Sequence, residues 1–136
     1  MSDLVLQQGR YMFKDKDHLR KALTHCSLNS NDETIDNKGL AFLGDAVLYY
    51  IATELFFDDH HAATTEEMHN HREQFKKNDW LGKTHIANSI GRYLLVGKSR
   101  EGEEHTTEMK ATMIEAIIGA IDLENKEATK QFVMKL

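Results

Sequence analysis

Apolar residues recur along most of the chain at the three- and four-residue spacing of a helix face. Asp15 or Asp17 can cap a first helix to about His25, with Leu19, Ala22 and Leu23 at helical spacing. The run Ser27 to Asp36 (SLNSNDETID) is rich in cap and turn formers and predicts a loop. Asn37 then opens a long helix through Leu40, Leu43, Val47, Leu48, Ile51 and Leu55, ending near Phe57, and Asp58 to Ala63 reads as a short connection. Thr64 and Glu67 form a capping-box pair at the head of a polar helix to about Lys77. Asn78 or Asp79 caps the next helix, which carries Trp80, Leu81, Ile86 and Ile90 and stops near Gly91. Tyr93 to Val96 is an apolar run too short to assign by period. KSREGEEH (98–105) reads as a charged loop. Thr106 or Thr107 begins a helix to about Ile121, and Asn125 caps a last one to Leu136. The pattern predicts an all-α domain of about six or seven helices.

Composition supports this. There is no proline in 136 residues and only eight glycines, which favours long helices over a turn-rich β architecture. No repeat, low-complexity tract or linker divides the chain, so residues 1–136 read as one domain. No apolar run approaches the ~20 residues of a membrane span, which argues against a membrane partner. Met1 to Gln8 carries Asp3 and no basic stretch, unlike a leader peptide. The single cysteine, Cys26, fits a reducing compartment, so a cytoplasmic location is expected. A net charge of −5 argues against an all-round basic coat and leaves room for a local basic patch.

Two segments stand out chemically. In LAFLGDAVLYYIA (40–52) the only acid is Asp45, and in ATMIEAIIGAI (111–121) the only ionisable group is Glu115. Helices this apolar on all sides are expected to be buried. An ionised carboxylate there costs several kcal/mol unless it is paired or bound to a cation. Each acid is therefore protonated, paired with a base, or facing a cleft that holds a metal. If the helices pack together, Asp45 and Glu115 can share one hard cation such as Mg²⁺ or Mn²⁺. The competing reading is a pair of structural acids capped by basic or backbone donors.

These segments resemble the signature of the ribonuclease III family. Residues 37–48 read NKGLAFLGDAVL against a usual pattern close to NERLEFLGDAVL, and residues 110–120 read KATMIEAIIGA against LADxxEALIGA. YMFKDKDHLRKALTHCSL (11–28) resembles the family's opening helix, which commonly ends in ALTHRS, and Arg72 and Asn78 fit the pattern downstream. The resemblance runs from about Tyr11 to Leu123. It implies a helical endonuclease domain that cleaves double-stranded RNA as a homodimer. In such a domain four acids hold a divalent metal, Mg²⁺ or Mn²⁺, and metal-bound water attacks a phosphodiester. Asp45 and Glu115 match two of those acids, in metal-binding and catalytic roles. Ala41 and Thr112 stand where the other two belong, which implies a degenerate site, weak or absent metal and impaired cleavage. The alternative is a non-catalytic ribonuclease III-like protein that binds RNA or serves as a dimerisation scaffold. A heterodimer with an active paralogue, cutting one strand, is a variant of the first reading. A structural all-α dimer unrelated to RNA fits the signature least.

Other departures are Lys38 and Gly39 for Glu and Arg, Cys26 for Arg, and Thr65 at a position that is often acidic, with Glu66 and Glu67 adjacent. On this reading residues 1–136 are expected to carry the nuclease-like part without a C-terminal double-stranded-RNA-binding domain. Phe42, with Leu43 and Val47, is assigned to the dimer interface, because its helix is too apolar for one domain's interior alone. Arg72, Lys76 and Lys77, then Lys83, Arg92, Lys98 and Arg100, are candidate phosphate contacts, interleaved with Glu66, Glu67 and Glu73. His60, His61, His69 and His71 fit no zinc spacing and are assigned to a solvated surface. His25 is expected to cap or pack its helix end, and Cys26 to be a small buried residue.

Overall fold

The structure is a computed structural model that describes residues 11–28, 35–77 and 79–136, and the side chains of all of these except 75–77 and 79. The expectations for Met1 to Gln8, for residues 29–34 of the polar loop and for an Asn78 cap lie outside the described residues.

Six α-helices are present among them: α1 (Lys16–Ala22), α2 (Lys38–Asp59), α3 (Thr65–Lys77), α4 (His85–Gly91), α5 (Thr107–Glu124) and α6 (Lys126–Met134). Two 3₁₀ turns, Asp79–Lys83 and Lys98–Arg100, flank α4. The Asp15 carboxylate caps α1 through the Asp17 N–H, and the helix stops at Ala22, three residues short of the expected end. The Oγ1 atoms of Thr106 and Thr64 accept from the Met109 and Glu67 N–H groups at the heads of α5 and α3. Asn125 caps α6 as its position predicts, through the Ala128 N–H.

The single helix expected from Asn78 or Asp79 to Gly91 is two pieces. Gly82 packs against the Thr107 backbone, where a Cβ would collide with the carbonyl carbon at 2.9 Å. The chain breaks there, and Thr84 opens α4 by accepting from Ala87 N–H while donating to Leu81 O. The run left unassigned at Tyr93 to Val96 begins as a turn, after which Thr24 and Leu95 form an isolated parallel bridge among the described residues. Leu95 N–H donates to Leu23 O at 2.7 Å, and His25 N–H to Leu95 O at 2.8 Å.

α5 is the hub of the core. Met113, Ile114, Ala116, Ile117, Ile118, Ala120 and Ile121 are all shut off from solvent, and α2, α1 and the Asp79–Lys83 turn pack around them. α2 departs from the expectation of full burial. Leu40, Ala41, Gly44, Leu48, Ile51 and Ala52 face the core, whereas Phe42, Asp45, Ala46 and Tyr50 are exposed. One helix cannot bury its whole circumference against a single neighbour, so an all-round apolar pattern leaves an open face here. By length and composition alone, α2 is long and apolar enough to cross a membrane, a test that a core helix also passes. Here it packs along α5 as a core helix.

Candidate active site

The site is built where α2 crosses α5. Gly44 and Gly119 make the crossing close: a Cβ on Gly44 would lie 2.6 Å from the Glu115 carbonyl carbon, and one on Gly119 would lie 3.1 Å from Gly44 N. Backbone-to-backbone contact leaves the next residue, Asp45, beside Glu115. On α2, Lys38, Ala41, Asp45 and Tyr49 follow one another at helical spacing, and on α5 Thr112 and Glu115 do the same. The two stripes run along the seam, or valley, where α2 packs on α5.

Asp45 is exposed and Glu115 is half-buried, so the expectation of two buried carboxylates is corrected for Asp45. Burial, and then the Asp45 charge, push the Glu115 carboxyl up to about 7. Among the described residues no basic side chain pairs with either acid. The reading of two acids capped by basic groups is therefore not what the described residues show. Tyr49 belongs to the same patch: burial, Asp45, Glu73 and Glu115 raise its pKa, and Arg72 opposes them. Tyr49 was not singled out from the sequence, and Glu73 was named only as an acid among the basic groups. The signal for Tyr49 was its place four residues after Asp45 on the same helix face.

The other end of the valley is basic. Asn37 N–H donates to Thr24 O at 2.9 Å, and Asn37 Nδ2 to Ala22 O at 3.3 Å, tying the start of α2 to the end of α1. The Asn37 side chain is thereby spent, and Asp36 Oδ1 takes the Lys38 N–H at 2.9 Å. Ser27 Oγ accepts from Gly97 N–H at 3.0 Å and fixes the Lys98–Arg100 turn beside His25. A cavity of about 400 Å³ opens there, lined by His25, Cys26, Lys38, Arg100, Glu108 and Thr112 among others. Burial lowers the His25 pKa, and the charges of Arg100, His105 and Lys38 lower it further, against Asp36.

The remaining candidates scatter. Phe42 is 84% exposed on the open face of α2, while Leu43 and Val47 are half-buried. Arg72 is exposed beside the Tyr49 patch; the Lys76 and Lys77 side chains lie outside the described residues. Arg92 sits over the Tyr93 ring, 4.9 Å from its centre. The histidines are partly packed rather than simply solvated: Phe56 is stacked between His60 and His71, at centroid distances of 4.3 and 4.2 Å. His25 lies three residues beyond the end of α1 and closes the following turn rather than capping the helix, its Nδ1 accepting from Ser27 N–H at 3.1 Å. Cys26 is half-buried, more open than expected, because it lines the basic cavity.

Comparison with known proteins agrees with this architecture. Residues 15–136 match the family model described as Ribonuclease-III-like. The chain belongs to the ribonuclease III-like family. Ribonuclease 3 of Nitrosomonas europaea is 34% identical over 133 residues, which cover 96% of this chain and 53% of that protein. Ribonuclease 3 of a Nitratiruptor species is 32% identical over 129 residues, 93% of this chain and 56% of the relative. The chain thus spans about half the length of the curated relatives it matches. A solved nuclease domain of ribonuclease III from Campylobacter jejuni, described for structural flexibility in a region involved in dimer formation, superposes with a TM-score of 0.85 at 32% identity. That match covers 98% of this chain and 94% of the other.

Within this ribonuclease III-like fold, Ala41 and Thr112 lie on the facing stripes that carry Asp45 and Glu115. Among the described residues no group of three or more His, Cys, Asp or Glu side chains could hold a metal ion. Two neighbouring carboxylates without a basic partner among the described residues are the right chemistry for a hard cation, and Mg²⁺ keeps several waters readily. They fit a weak seat and fall short of a rigid one.

Proposed function

We propose that this ribonuclease III-like domain acts on double-stranded RNA as a homodimer, with its own phosphodiester cleavage impaired. The observation that carries this reading is the meeting of Asp45 and Glu115 at the α2/α5 crossing with no basic partner among the described residues, flanked by Ala41 and Thr112. Asp45 and Glu115 would hold one Mg²⁺ or Mn²⁺ ion weakly. Bound there, such an ion supplies charge stabilisation to a reacting phosphate. The protein's own part is to hold the two carboxylates on rigid helices and to offer Arg72, with Lys76 and Lys77 after it on α3, to the RNA backbone. Missing carboxylates loosen the position of the ion, and loosely placed ions catalyse poorly. A purely RNA-binding or scaffolding role is the reading that the replacement of acids by Ala41, Thr112 and Lys38 favours.

The dimer face we assign is the open side of α2. Phe42, Ala46, Tyr50 and Phe57 lie there at helical spacing, and Phe42 and Tyr50 are 84% and 68% exposed. Beside them is a cavity of about 580 Å³ with Val47 and Ile51 among its lining, which suits an aromatic ring from a second copy.

The test is incubation of the protein with a labelled RNA duplex in Mg²⁺ and in Mn²⁺, beside Glu115→Ala and the double variant Ala41→Glu, Thr112→Asp. Slow cutting that disappears in Glu115→Ala supports the impaired-enzyme reading. Cutting only in the double variant supports a binding or scaffolding protein. Failure to bind duplex in any form overturns both.

A further inference from the structure

We propose that the cavity between Lys38, Arg100, His25 and Thr112 is a metal-independent seat for a phosphate group of RNA. Four separate segments converge on it: the end of α1, the start of α2, the Lys98–Arg100 turn and the first turns of α5. Backbone bonds fix three of them to one another: Asn37 N–H to Thr24 O at 2.9 Å, His25 N–H to Leu95 O at 2.8 Å, and Gly97 N–H to Ser27 Oγ at 3.0 Å. The wall is therefore pre-formed, and little ordering entropy remains to be lost on binding.

The donor chemistry suits an oxyanion. Lys38 and Arg100 bring two permanent positive charges to the rim, Lys38 already holding a contact that a phosphate would have to share or displace, and Thr112 brings a hydroxyl. Ser27 N–H donates to His25 Nδ1, so the neutral ring carries its hydrogen on Nε2, which lies 3.9 Å from Cys26 Sγ, a weak contact that a phosphate oxygen can replace. The positive neighbours that lower the His25 pKa are a sign of how much cationic charge gathers here. Among the described residues, carboxylates also lie close. Asp36 is buried and occupied by the Lys38 N–H, whereas Glu108 stands on the cavity wall. Arg100 also approaches Glu103, at 4.0 Å on an exposed surface, a contact weak enough to yield to a phosphate.

Lys38 lies seven residues before Asp45, two turns along the same face of α2, and Thr112 lies one turn before Glu115 on α5. The cavity therefore lies one to two helical turns from the two carboxylates, on the same helix faces but without them in its wall. Side-chain cations here do the anchoring that divalent ions would otherwise do. Only the identity of the phosphate's carrier as RNA rests on the function proposed above; the seat itself rests on the side chains.

Cys26 lines the cavity and is the only cysteine in the chain, so its alkylation rate reports occupancy without any cleavage assay. The experiment uses the whole protein in EDTA. Inorganic phosphate, with acetate at matched ionic strength as control, is titrated while Cys26 labelling is followed, and affinity for an RNA duplex is measured separately. Lys38→Glu with Arg100→Glu is compared with Lys16→Glu with Lys135→Glu, which makes the same change in net charge at exposed positions away from the valley. Phosphate is expected to slow labelling several-fold in the wild type and the control pair but not in Lys38→Glu, Arg100→Glu. Duplex affinity is expected to fall at least ~10-fold more in that pair than in the control, with the salt dependence reduced by about one per cation lost. Glu108→Gln, which removes the carboxylate from the wall, is expected to tighten both. Protection by phosphate without any duplex binding keeps the seat and sinks the RNA reading. Duplex binding with no phosphate protection and no difference between the two pairs sinks the seat and leaves the RNA reading standing. Protection by acetate equal to that by phosphate also overturns the proposal, because the cavity would then be a general anion or carboxylate site.

Discussion

Gly44 meets Glu115 backbone to backbone: a Cβ placed on the glycine would lie 2.6 Å from the Glu115 carbonyl carbon. Close approach at this one point seats α2 on α5 and brings Asp45 to Glu115. Structure and chemistry therefore share a residue. Gly44→Ala forces the helices apart and is expected to cost about 1–3 kcal/mol, the range for overpacking a tight interior. Gly39 is the control. A Cβ there meets nothing within 4 Å, so Gly39→Ala is expected to be neutral or stabilising by up to about 1 kcal/mol. Urea unfolding of the two variants checks both; equal stabilities would mean that the crossing is not a tight contact.

Glu115 makes stability depend on pH. Its folded pKa, about 7, lies above the ordinary 4.5, so the folded state holds an extra proton between those values. Stability is then expected to fall as pH rises through that window and to level off above it. Glu115→Gln should abolish this slope, and Asp45→Asn should shrink it without removing it, since burial is the larger cause. Mg²⁺ should recover part of the loss at pH 8 in the wild type only. Thermal melts at pH 5 and 8, with and without Mg²⁺, decide the matter; parallel curves for all three proteins would remove Glu115 from the coupled pair.

Much of this was legible in the sequence, for identifiable reasons. Helix periods, Thr and Asx caps and the lone acids in two apolar segments are local signals, and they placed α2, α5, Asp45 and Glu115. What was not legible depends on neighbours distant in sequence. Asp45 is exposed because α5 covers one side of α2 only. The split between Asp79–Lys83 and α4 follows from Gly82 lying on the Thr107 backbone. The association of His25, Lys38 and Arg100 needs the Thr24–Leu95 bridge, which no periodicity announces.

Glu124 holds the first described segment against α5. Its carboxylate accepts from Tyr11 Oη at 2.7 Å, Lys14 N–H at 2.9 Å and Asp15 N–H at 3.0 Å, and pairs with His18 Nδ1 at 2.8 Å. Burial alone would raise its pKa, but these bonds bring it down to about 2. The contribution to stability is full above the ordinary 4.5 and is lost as pH falls toward about 2. Glu124→Gln is expected to cost about 1–3 kcal/mol at neutral pH and to make residues 11–18 exchange amide hydrogens faster. Unchanged protection of that segment would show that apolar packing of Tyr11 and Phe13 holds it without the carboxylate.

Phe42 separates the dimer reading from a monomer. At 84% exposure it is an expensive ring to leave in water, and burying it fully against a second copy is worth about 1.5–3 kcal/mol per subunit. A two-fold interface uses each ring twice, once from each copy, so a single substitution counts double. Phe42→Glu is therefore expected to raise the dimer dissociation constant at least ~100-fold while leaving the melting temperature of the isolated domain unchanged, because the side chain touches little of its own core. Tyr50→Glu, on the same face but already hydrogen-bonded to Glu54 at 3.1 Å, should weaken the dimer less. Sedimentation at micromolar concentration reads both. A dimer that survives Phe42→Glu would move the interface off the open face of α2, and a wild-type protein that sediments as a monomer would remove the homodimer altogether.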